Sequence, residues 1–267
     1  MVQNFKNYLV GRGLASNTVK AYSIAVQFYY AQHTELSAKA LLAHREYLVS
    51  HYKPQTVNLH IIGLNSYLNF LNRKDLCLHV LKRQQKTFLE NVISNAQYIK
   101  LKRQLLADHD LKKYHIVWTL AATGVRVSEL VRLKVEDVVM GYIDLISKGG
   151  KSRRIYFPAK LQKSLLAWCH DEKRMQGPLF VNPLGMALSV RSVAKALRKA
   201  ARLTGIDPKV AHPHAFRHLF AKNFLNHRND LALLADLLGH ESLETTKIYL
   251  RYTMQEQWDI VNNVVDW

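Results

Sequence analysis

Apolar residues recur at intervals of three and four along most of this chain, and that spacing constrains its fold more than any other feature. Pro54 suits the first turn of a helix, because an N–H at that position would have no partner within the helix. The apolar residues that follow it share one helical face: Val57, Ile61, Leu64, Leu68 and Leu71. Only 6 proline and 11 glycine residues interrupt the 267 residues. The sequence therefore predicts a mainly helical protein.

The first domain is predicted to be an all-helical bundle over residues 1–76. Val19, Val26 and Tyr29 keep helical spacing after a possible cap at Ser16. The helices expected in this bundle cover 2–11, the segment that begins at Ser16, 37–50 and the segment that begins at Pro54. Each of these helices would bury one apolar stripe and leave its polar face free for other contacts.

Residues 77–94 lose this regular spacing and include the basic stretch LKRQQKT, so we expect a linker there. The second domain, 95–267, combines helices with two β-prone runs, Tyr142–Ile146 and Arg153–Phe157. Two glycines in SKGGKS, between these runs, permit the reversal of a hairpin. Helices are predicted at 110–123, from Glu129 to Leu133, and at 159–172, 189–204, 213–226, 230–238 and 242–251. The predicted fold class is mainly α with a small β-sheet: an α+β domain after an all-α domain.

Charge and cysteine content narrow the class of function. Lys and Arg number 38 against 20 Asp and Glu, a formal net charge of +18, which favours a polyanionic partner such as nucleic acid. The only cysteines, Cys77 and Cys169, are too few for a disulfide framework. No apolar run approaches the roughly 18 residues of a membrane span. We therefore expect a cytoplasmic protein with no membrane contact.

Four segments of the second domain concentrate functional side chains. They are ATGVRVSEL (122–130), SKGGKSRR (147–154), HPHAFRH (212–218) and LLGHESLETTKIYLRY (237–252). Together they resemble the tyrosine recombinase family, also called the phage-integrase family. In that family an arginine follows A-T-G-x, a lysine lies in a hairpin turn, and H-x-x-R and L-G-H precede a tyrosine. All these elements are present here in the same order, and the combination is specific although each segment alone is weak.

The resemblance implies a catalytic set: Arg126, Lys148, His214, Arg217, His240 and Tyr249. Two guanidiniums can bind the nonbridging oxygens of a phosphodiester with paired hydrogen bonds as negative charge accumulates there. The family mechanism implies that Tyr249 attacks phosphorus and forms a covalent phosphotyrosine. It implies Lys148 as the general acid for the 5′ oxygen, His214 as proton acceptor or phosphate ligand, and His240 as a hydrogen-bonding partner of the phosphate. Neither ATP, a metal ion nor another cofactor is expected, because the tyrosine ester conserves the bond energy.

Several of these residues also have simpler interpretations. Arg126 could pair with Glu129 on a solvated turn, and Lys148 could be an ordinary turn lysine. His214 and His218 have the i, i+4 spacing of two zinc ligands, although further ligands would be needed. The remaining alternatives are L-G-H as a helix C-cap, Tyr249 as a packing residue, and Tyr252 in place of Tyr249 as the nucleophile. The five simpler interpretations, which leave aside the Tyr252 alternative, would have to coincide in the order of the family.

The resemblance also implies a two-domain clamp around double-stranded DNA, acting as a homo-oligomer. Residues expected to contact DNA are Lys20, Lys53, Gln55, Thr56, Asn58, Lys151 and Arg153. Near the chain end, apolar residues recur at roughly helical spacing: Trp258, Ile260, Val261, Val264, Val265 and Trp267. In the family such a tail docks into a neighbouring protomer, which implies a tetramer on DNA with tail exchange; packing onto its own domain is the alternative.

The resulting prediction is a site-specific DNA recombinase that cleaves and rejoins strands through a 3′-phosphotyrosyl intermediate. One alternative is a type IB topoisomerase, which uses similar chemistry on a single duplex. The other is a DNA-binding accessory factor that does not cleave. None of the family's catalytic positions is substituted here, which favours an active enzyme.

Overall fold

The structure, a computed structural model, describes residues 2–82, 91–146, 152–240 and 242–264. The chain divides into two compact units, Met1–Gln85 and Lys86–Trp267. The predicted linker, 77–94, includes residues 83–90 outside the described part and stays a prediction. None of the described helices combines the length and the apolar composition that a membrane crossing requires.

The described part of the first unit consists of helices joined by loops and contains no strand. Its elements are α1 (Val2–Gly11), α2 (Ser16–Tyr30), α3 (Ala38–His51), α4 (Pro54–Phe70) and a 3₁₀ turn (Lys74–Leu76). Phe5 of α1, Tyr29 of α2 and Leu41 of α3 are fully buried against the apolar face of α4 that the sequence predicts. Leu71 lies just past the end of α4. The predicted cap is wrong at Ser16, which is the first helical residue and not the N-cap.

Two asparagines of α4 hold the segment that follows the bundle. Asn58 donates to the Leu81 carbonyl at 3.0 Å and accepts from the Leu81 amide at 2.8 Å. Asn65 makes the same pair of hydrogen bonds with Leu78, both at 2.8 Å. The prediction that Asn58 reads DNA is therefore wrong: its side chain is buried, and both its amide groups are used by the backbone.

The second unit places one hairpin among helices. Its helices are α5 (Asn95–Ala107), α6 (Leu111–Thr123), α7 (Val127–Leu130), α8 (Val135–Met140), α9 (Ala159–Asp171), α10 (Val190–Leu203), α11 (Pro213–His227), α12 (Leu231–Leu238), α13 (Leu243–Lys247) and α14 (Met254–Val264), and a 3₁₀ turn covers Ile248–Leu250. Strands β1 (Tyr142–Ile146) and β2 (Ser152–Tyr156) pair antiparallel, with Tyr142 opposite Tyr156. The predicted fold class, mainly α with a small sheet, is confirmed.

Two helix ends determine where the functional segments begin. Gly124 ends α6 with a φ of 62°, and Gly239 ends α12 with a φ of 64°. This left-handed conformation suits glycine and stops each helix directly before a functional segment. Arg126 therefore follows the first turn, and His240 follows the second.

Candidate active site

Arg217 occupies the buried centre of the site. It lies on the second turn of α11 and is only 2% exposed. One guanidinium nitrogen donates to the Gly124 carbonyl at 2.7 Å, and another donates to the Leu238 carbonyl at 2.6 Å. Burial, together with the neighbouring charge of Arg126, lowers the pKa of Arg217 to about 10, while Tyr249 opposes the shift. The side chain thus stays charged near neutral pH and ties the ends of α6 and α12 to α11.

Arg126 reaches the same turn from a different segment. Its guanidinium donates to the Gly239 carbonyl at 3.3 Å, next to the Leu238 carbonyl that Arg217 uses. It also pairs with Glu129 at 3.2 Å, so the simple ion pair suggested by the sequence exists as well. About a third of the Arg126 side chain is exposed (34%), which leaves it open to a ligand from solvent. Two guanidiniums therefore converge on consecutive carbonyls.

Arg153 has a structural contact that its sequence position does not reveal. Its guanidinium is buried, donates to the Leu238 carbonyl at 2.6 Å and pairs with Glu129 at 2.5 Å. Burial of Arg153 and the internal partners of its two terminal nitrogens argue against the predicted DNA contact, whereas its Nε has no partner among the described residues. Glu129, which sequence reasoning treated only as a partner of Arg126, also accepts from the Arg126 amide at 2.8 Å and so joins both arginines.

His240 lies directly after the turn that the three arginines hold. Its Nε2 is 3.1 Å from a guanidinium nitrogen of Arg217, and its Nδ1 is 2.8 Å from the Thr246 hydroxyl. Burial lowers the pKa of His240 to about 4, with the positive charges of Arg217, Arg126 and Arg153 acting in the same direction. The imidazole is therefore neutral near neutral pH.

Tyr249 lies against two histidines. It belongs to the 3₁₀ turn Ile248–Leu250 and is 5% exposed. Its ring stacks on His240 at a centroid distance of 5.9 Å and meets His218 edge-on at 4.8 Å. Tyr252, the alternative nucleophile, is 51% exposed and has its ring 6.0 Å from the Lys222 ammonium. The structure thus places Tyr249, and not Tyr252, beside the histidine and arginine groups.

His214 lies in the first turn of α11, three residues before Arg217. Burial lowers its pKa, and the charge of Arg217 lowers it further. Burial lowers the pKa of His218, one turn further on, to about 4. Across the described ranges of the chain, no three His, Cys, Asp or Glu side chains form a group that could hold a metal ion, so the zinc alternative for His214 and His218 gains no further ligand there.

The other predicted DNA contacts have mixed outcomes. Lys148 and Lys151 lie outside the described residues and stay predictions. Lys20, Lys53 and Gln55 are exposed on the first unit, and Thr56 is half-buried. These four side chains have the accessibility that a DNA contact needs, although accessibility alone does not assign one.

The outer face of α10 carries a row of cations that the sequence analysis did not use. Its exposed members are Arg191, Lys195, Arg198, Lys199 and Arg202. The spacing of four of them, at intervals of four, three and four, places them on one stripe, opposite the buried Val193 and Leu197. Helix α10 contains no acidic residue, and this excess of basic residues is the feature of the sequence that could have identified the cationic stripe.

Comparison with known proteins finds related sequences and folds. A family model described as the phage integrase family matches residues 88–256. Tyrosine recombinase XerC of Lactobacillus delbrueckii subsp. bulgaricus is 32% identical over 216 residues, which cover 75% of this chain and 73% of the relative. A crystal structure of XerH site-specific recombinase bound to difH substrate, a pre-cleavage complex, has a TM-score of 0.68 at 20% identity and covers 91% of this chain and 79% of its own. A crystal structure of a lambda integrase dimer bound to a COC′ core site has a TM-score of 0.71 at 18% identity and covers 92% and 93%.

Proposed function

Because this chain belongs to the phage integrase family, we propose that it is a site-specific DNA recombinase that acts through a 3′-phosphotyrosyl intermediate. One observation carries the proposal. Arg126 and Arg217, from segments far apart in the sequence, both donate to the turn before His240, and Tyr249 stacks on that histidine. Such convergence of fixed cations beside a phenol suits attack on a phosphodiester.

The two arginines would bind the scissile phosphate. Both guanidiniums now donate to backbone carbonyls, which are neutral acceptors and are weaker partners than a phosphate oxygen. Arg126 is the more exposed of the two and is the first that an incoming phosphate can reach. Negative charge that develops on the nonbridging oxygens would then be stabilised by fixed guanidiniums, next to the buried side chains of Arg217 and Tyr249.

The covalent step needs a proton acceptor and a proton donor. The Tyr249 oxygen would form a bond to phosphorus while the bond from phosphorus to the 5′ oxygen breaks. His214, which burial favours in its neutral form, can accept the phenolic proton, and Lys148 is proposed to protonate the leaving oxygen. Attack by a 5′ hydroxyl on the phosphotyrosine reverses these changes and rejoins a strand without an external energy source.

DNA binding would use exposed positive charge on both units. The cationic stripe of α10 joins Lys20, Lys53, Gln55 and Thr56 as proposed contacts, and Lys151 remains a proposed contact on the hairpin. Lysine and arginine contacts to phosphate release counterions, so affinity should fall steeply as salt rises. Since its substrate would be cellular DNA, we also propose a cytoplasmic location.

The tail supports assembly of several copies on DNA. All residues of α14 are described, and none of them is buried. Trp258, Val261 and Val264 are each more than half exposed. Near the start of the helix, Glu256 forms an ion pair with Lys222 of α11. A helix that exposes these apolar side chains and is held at one end suits docking into a neighbouring protomer, and we propose a tetramer with tail exchange. Deleting 254–267 should weaken cooperative assembly in a gel-shift titration more than it weakens binding to one half-site; equal losses would exclude this role.

A nicked suicide duplex tests the catalytic proposal. Genomic fragments that the chain binds are selected and sequenced, and a set of duplexes is made with a nick at each successive position of the bound site. Once a short nicked fragment with a free 5′ hydroxyl diffuses away, the tyrosine ester cannot be reversed and the adduct accumulates. We expect a covalent adduct with the natural chain and none with Tyr249→Phe, while Tyr252→Phe serves as the matched control that retains it.

The same preparation separates the alternatives. A DNA-binding accessory factor would bind the fragments and form no adduct with any duplex. A topoisomerase would relax a supercoiled plasmid without exchanging two sites, whereas a recombinase converts a plasmid with two sites into new products. The similarity to tyrosine recombinase XerC supports the recombinase.

A further inference from the structure

Thr246 is a buried hydroxyl that the catalytic set does not include. Its side chain is fully buried, and its oxygen lies 2.8 Å from His240 Nδ1. The other nitrogen of His240, Nε2, lies 3.1 Å from Arg217. Both nitrogens of this imidazole therefore have partners within the protein, and the identity of those partners restricts where its proton can be.

The arginine determines the tautomer. A guanidinium has only donors, so Nε2 of His240 must present a lone pair to Arg217. The single proton of the neutral ring is then on Nδ1, which donates to the Thr246 oxygen. The opposite tautomer would place an N–H of the histidine against an N–H of the guanidinium at 3.1 Å, an arrangement of two donors without an acceptor.

Resting on the proposed function above, we propose that Thr246 is a positioning residue that accepts from Nδ1 of His240 and holds the ring with Nε2 directed toward Arg217, the orientation in which the guanidinium requires the Nδ1-protonated form. When Arg217 turns to a phosphate oxygen, Nε2 is freed. One proton taken up there from water would let His240 donate to the phosphate, while Nδ1 continues to donate to Thr246. The hydroxyl thus accepts from the neutral ring and from the imidazolium alike. In the neutral Nε2-protonated form the hydroxyl would have to donate to Nδ1 instead, and the Nε2 proton would face the donors of Arg217.

The same hydrogen bond connects His240 to the nucleophile. Thr246 lies on α13, and Tyr249 follows it by three residues in the 3₁₀ turn. The Tyr249 ring is nearly parallel to that of His240, with an interplanar angle of 15°. Removing the hydroxyl would therefore leave the Nδ1 proton of His240 without its acceptor. The phenol of Tyr249, which stacks on this ring, would then be less firmly placed. DNA affinity should change little, because Thr246 is fully buried.

Two substitutions and one control test the proposal on the full chain. Thr246→Val removes the hydroxyl at nearly constant shape, and Thr246→Ser keeps it. Thr245→Val is the matched control, since Thr245 is exposed on the same helix. With ¹⁵N-labelled histidine, NMR distinguishes a protonated from an unprotonated ring nitrogen, and the His240 signals are those absent from His240→Gln. On the nicked duplex, the rate of adduct formation is measured separately from binding.

We expect the natural chain, Thr246→Ser and Thr245→Val to show a protonated Nδ1 and an unprotonated Nε2. Thr246→Val should lose that pattern. It should form adduct at least about tenfold more slowly, which is the effect expected for loss of one buried hydrogen bond. Its half-site affinity should stay within about twofold of that of the natural chain. A protonated Nε2 in the natural chain, or a Thr246→Val protein with the natural tautomer and rate, would overturn the proposal. If the natural chain forms no adduct at all, the proposed function fails, and the NMR result still decides the role of Thr246.

Discussion

Replacing Gly239 with alanine should destabilise the second unit and disturb the site, and its cost can be worked from the structure. Gly239 has a φ of 64°, and an added Cβ would lie 2.5 Å from Cδ and 2.6 Å from a guanidinium nitrogen of Arg153. The left-handed conformation costs a residue with a Cβ about 1–2 kcal/mol. The steric conflict adds about 1–3 kcal/mol. Arg153 cannot move aside freely, because it also holds Leu238 and Glu129.

Gly185→Ala is the matched control for backbone strain. Gly185 has a similar φ of 76°, but nothing lies within 4 Å of the position of an added Cβ. It should therefore cost only the first contribution, about 1–2 kcal/mol, whereas Gly239→Ala should cost about 2–5 kcal/mol. Urea unfolding followed by tryptophan fluorescence measures both, because every tryptophan of the chain lies in the second unit. An equal loss in the two variants would refute the close packing of Arg153 on this turn.

Three further predictions concern other buried polar groups. Arg153→Met should slow adduct formation on the nicked duplex at least about tenfold while half-site affinity stays within about twofold in gel shifts; loss of affinity alone would restore Arg153 as a DNA contact. Asn58→Ala should cost about 1–3 kcal/mol in urea unfolding followed by circular dichroism, because the Leu81 backbone loses both partners, whereas Gln55→Ala should cost almost nothing. Burial lowers the pKa of His44 from 6.5 to about 4, so the unfolded chain binds its proton first and stability should fall, by up to about 3 kcal/mol, as pH drops from about 6.5 to about 4. In His44→Leu the pH dependence of thermal unfolding should be weaker, and an unchanged slope would contradict this.

The helices of the first unit follow from the sequence because a regular apolar face is a local signal. The predicted face of α4 is buried at Val57, Ile61, Leu64 and Leu68. Asn58 misled the prediction, because its partner lies 23 residues away and no local pattern announces that contact. A polar residue next to an apolar face can serve either water or a distant backbone segment, and only the fold decides between them.

The helices that the sequence analysis missed are those with few buried residues. The sequence analysis did not include α5, which buries only Leu101 and Leu105. It also omitted α8, a helix of 6 residues that a glycine ends. Periodicity needs several turns to be recognised, so a helix with two core positions gives little signal. The bounds of α5 and α8 are set by capping and packing, which apolar spacing does not indicate.

The candidate site was predictable as a set of segments but not as a network. The motifs identified Arg126, Arg217 and Tyr249, which the structure brings together, because their order in the chain is specific. Arg153 contacts the carbonyl of Leu238, 85 residues further along the chain, and Thr246 contacts His240, 6 residues before it. No spacing rule links a strand residue to the carbonyl of a distant helix end. Such partners are identified only in the folded structure, where Arg126, Arg153 and Arg217 all donate to the turn at Gly239.

Mapping the covalent adduct tests the central claim most directly. Cleavage by trypsin after Lys247 and Arg251 separates Tyr249, in the peptide IYLR, from Tyr252 at the start of the next peptide. The adduct trapped on the nicked duplex is digested with trypsin and nuclease and analysed by mass spectrometry. The account predicts a nucleotide joined through its 3′ phosphate to Tyr249. A nucleotide on Tyr252, or a linkage through a 5′ phosphate, would contradict it.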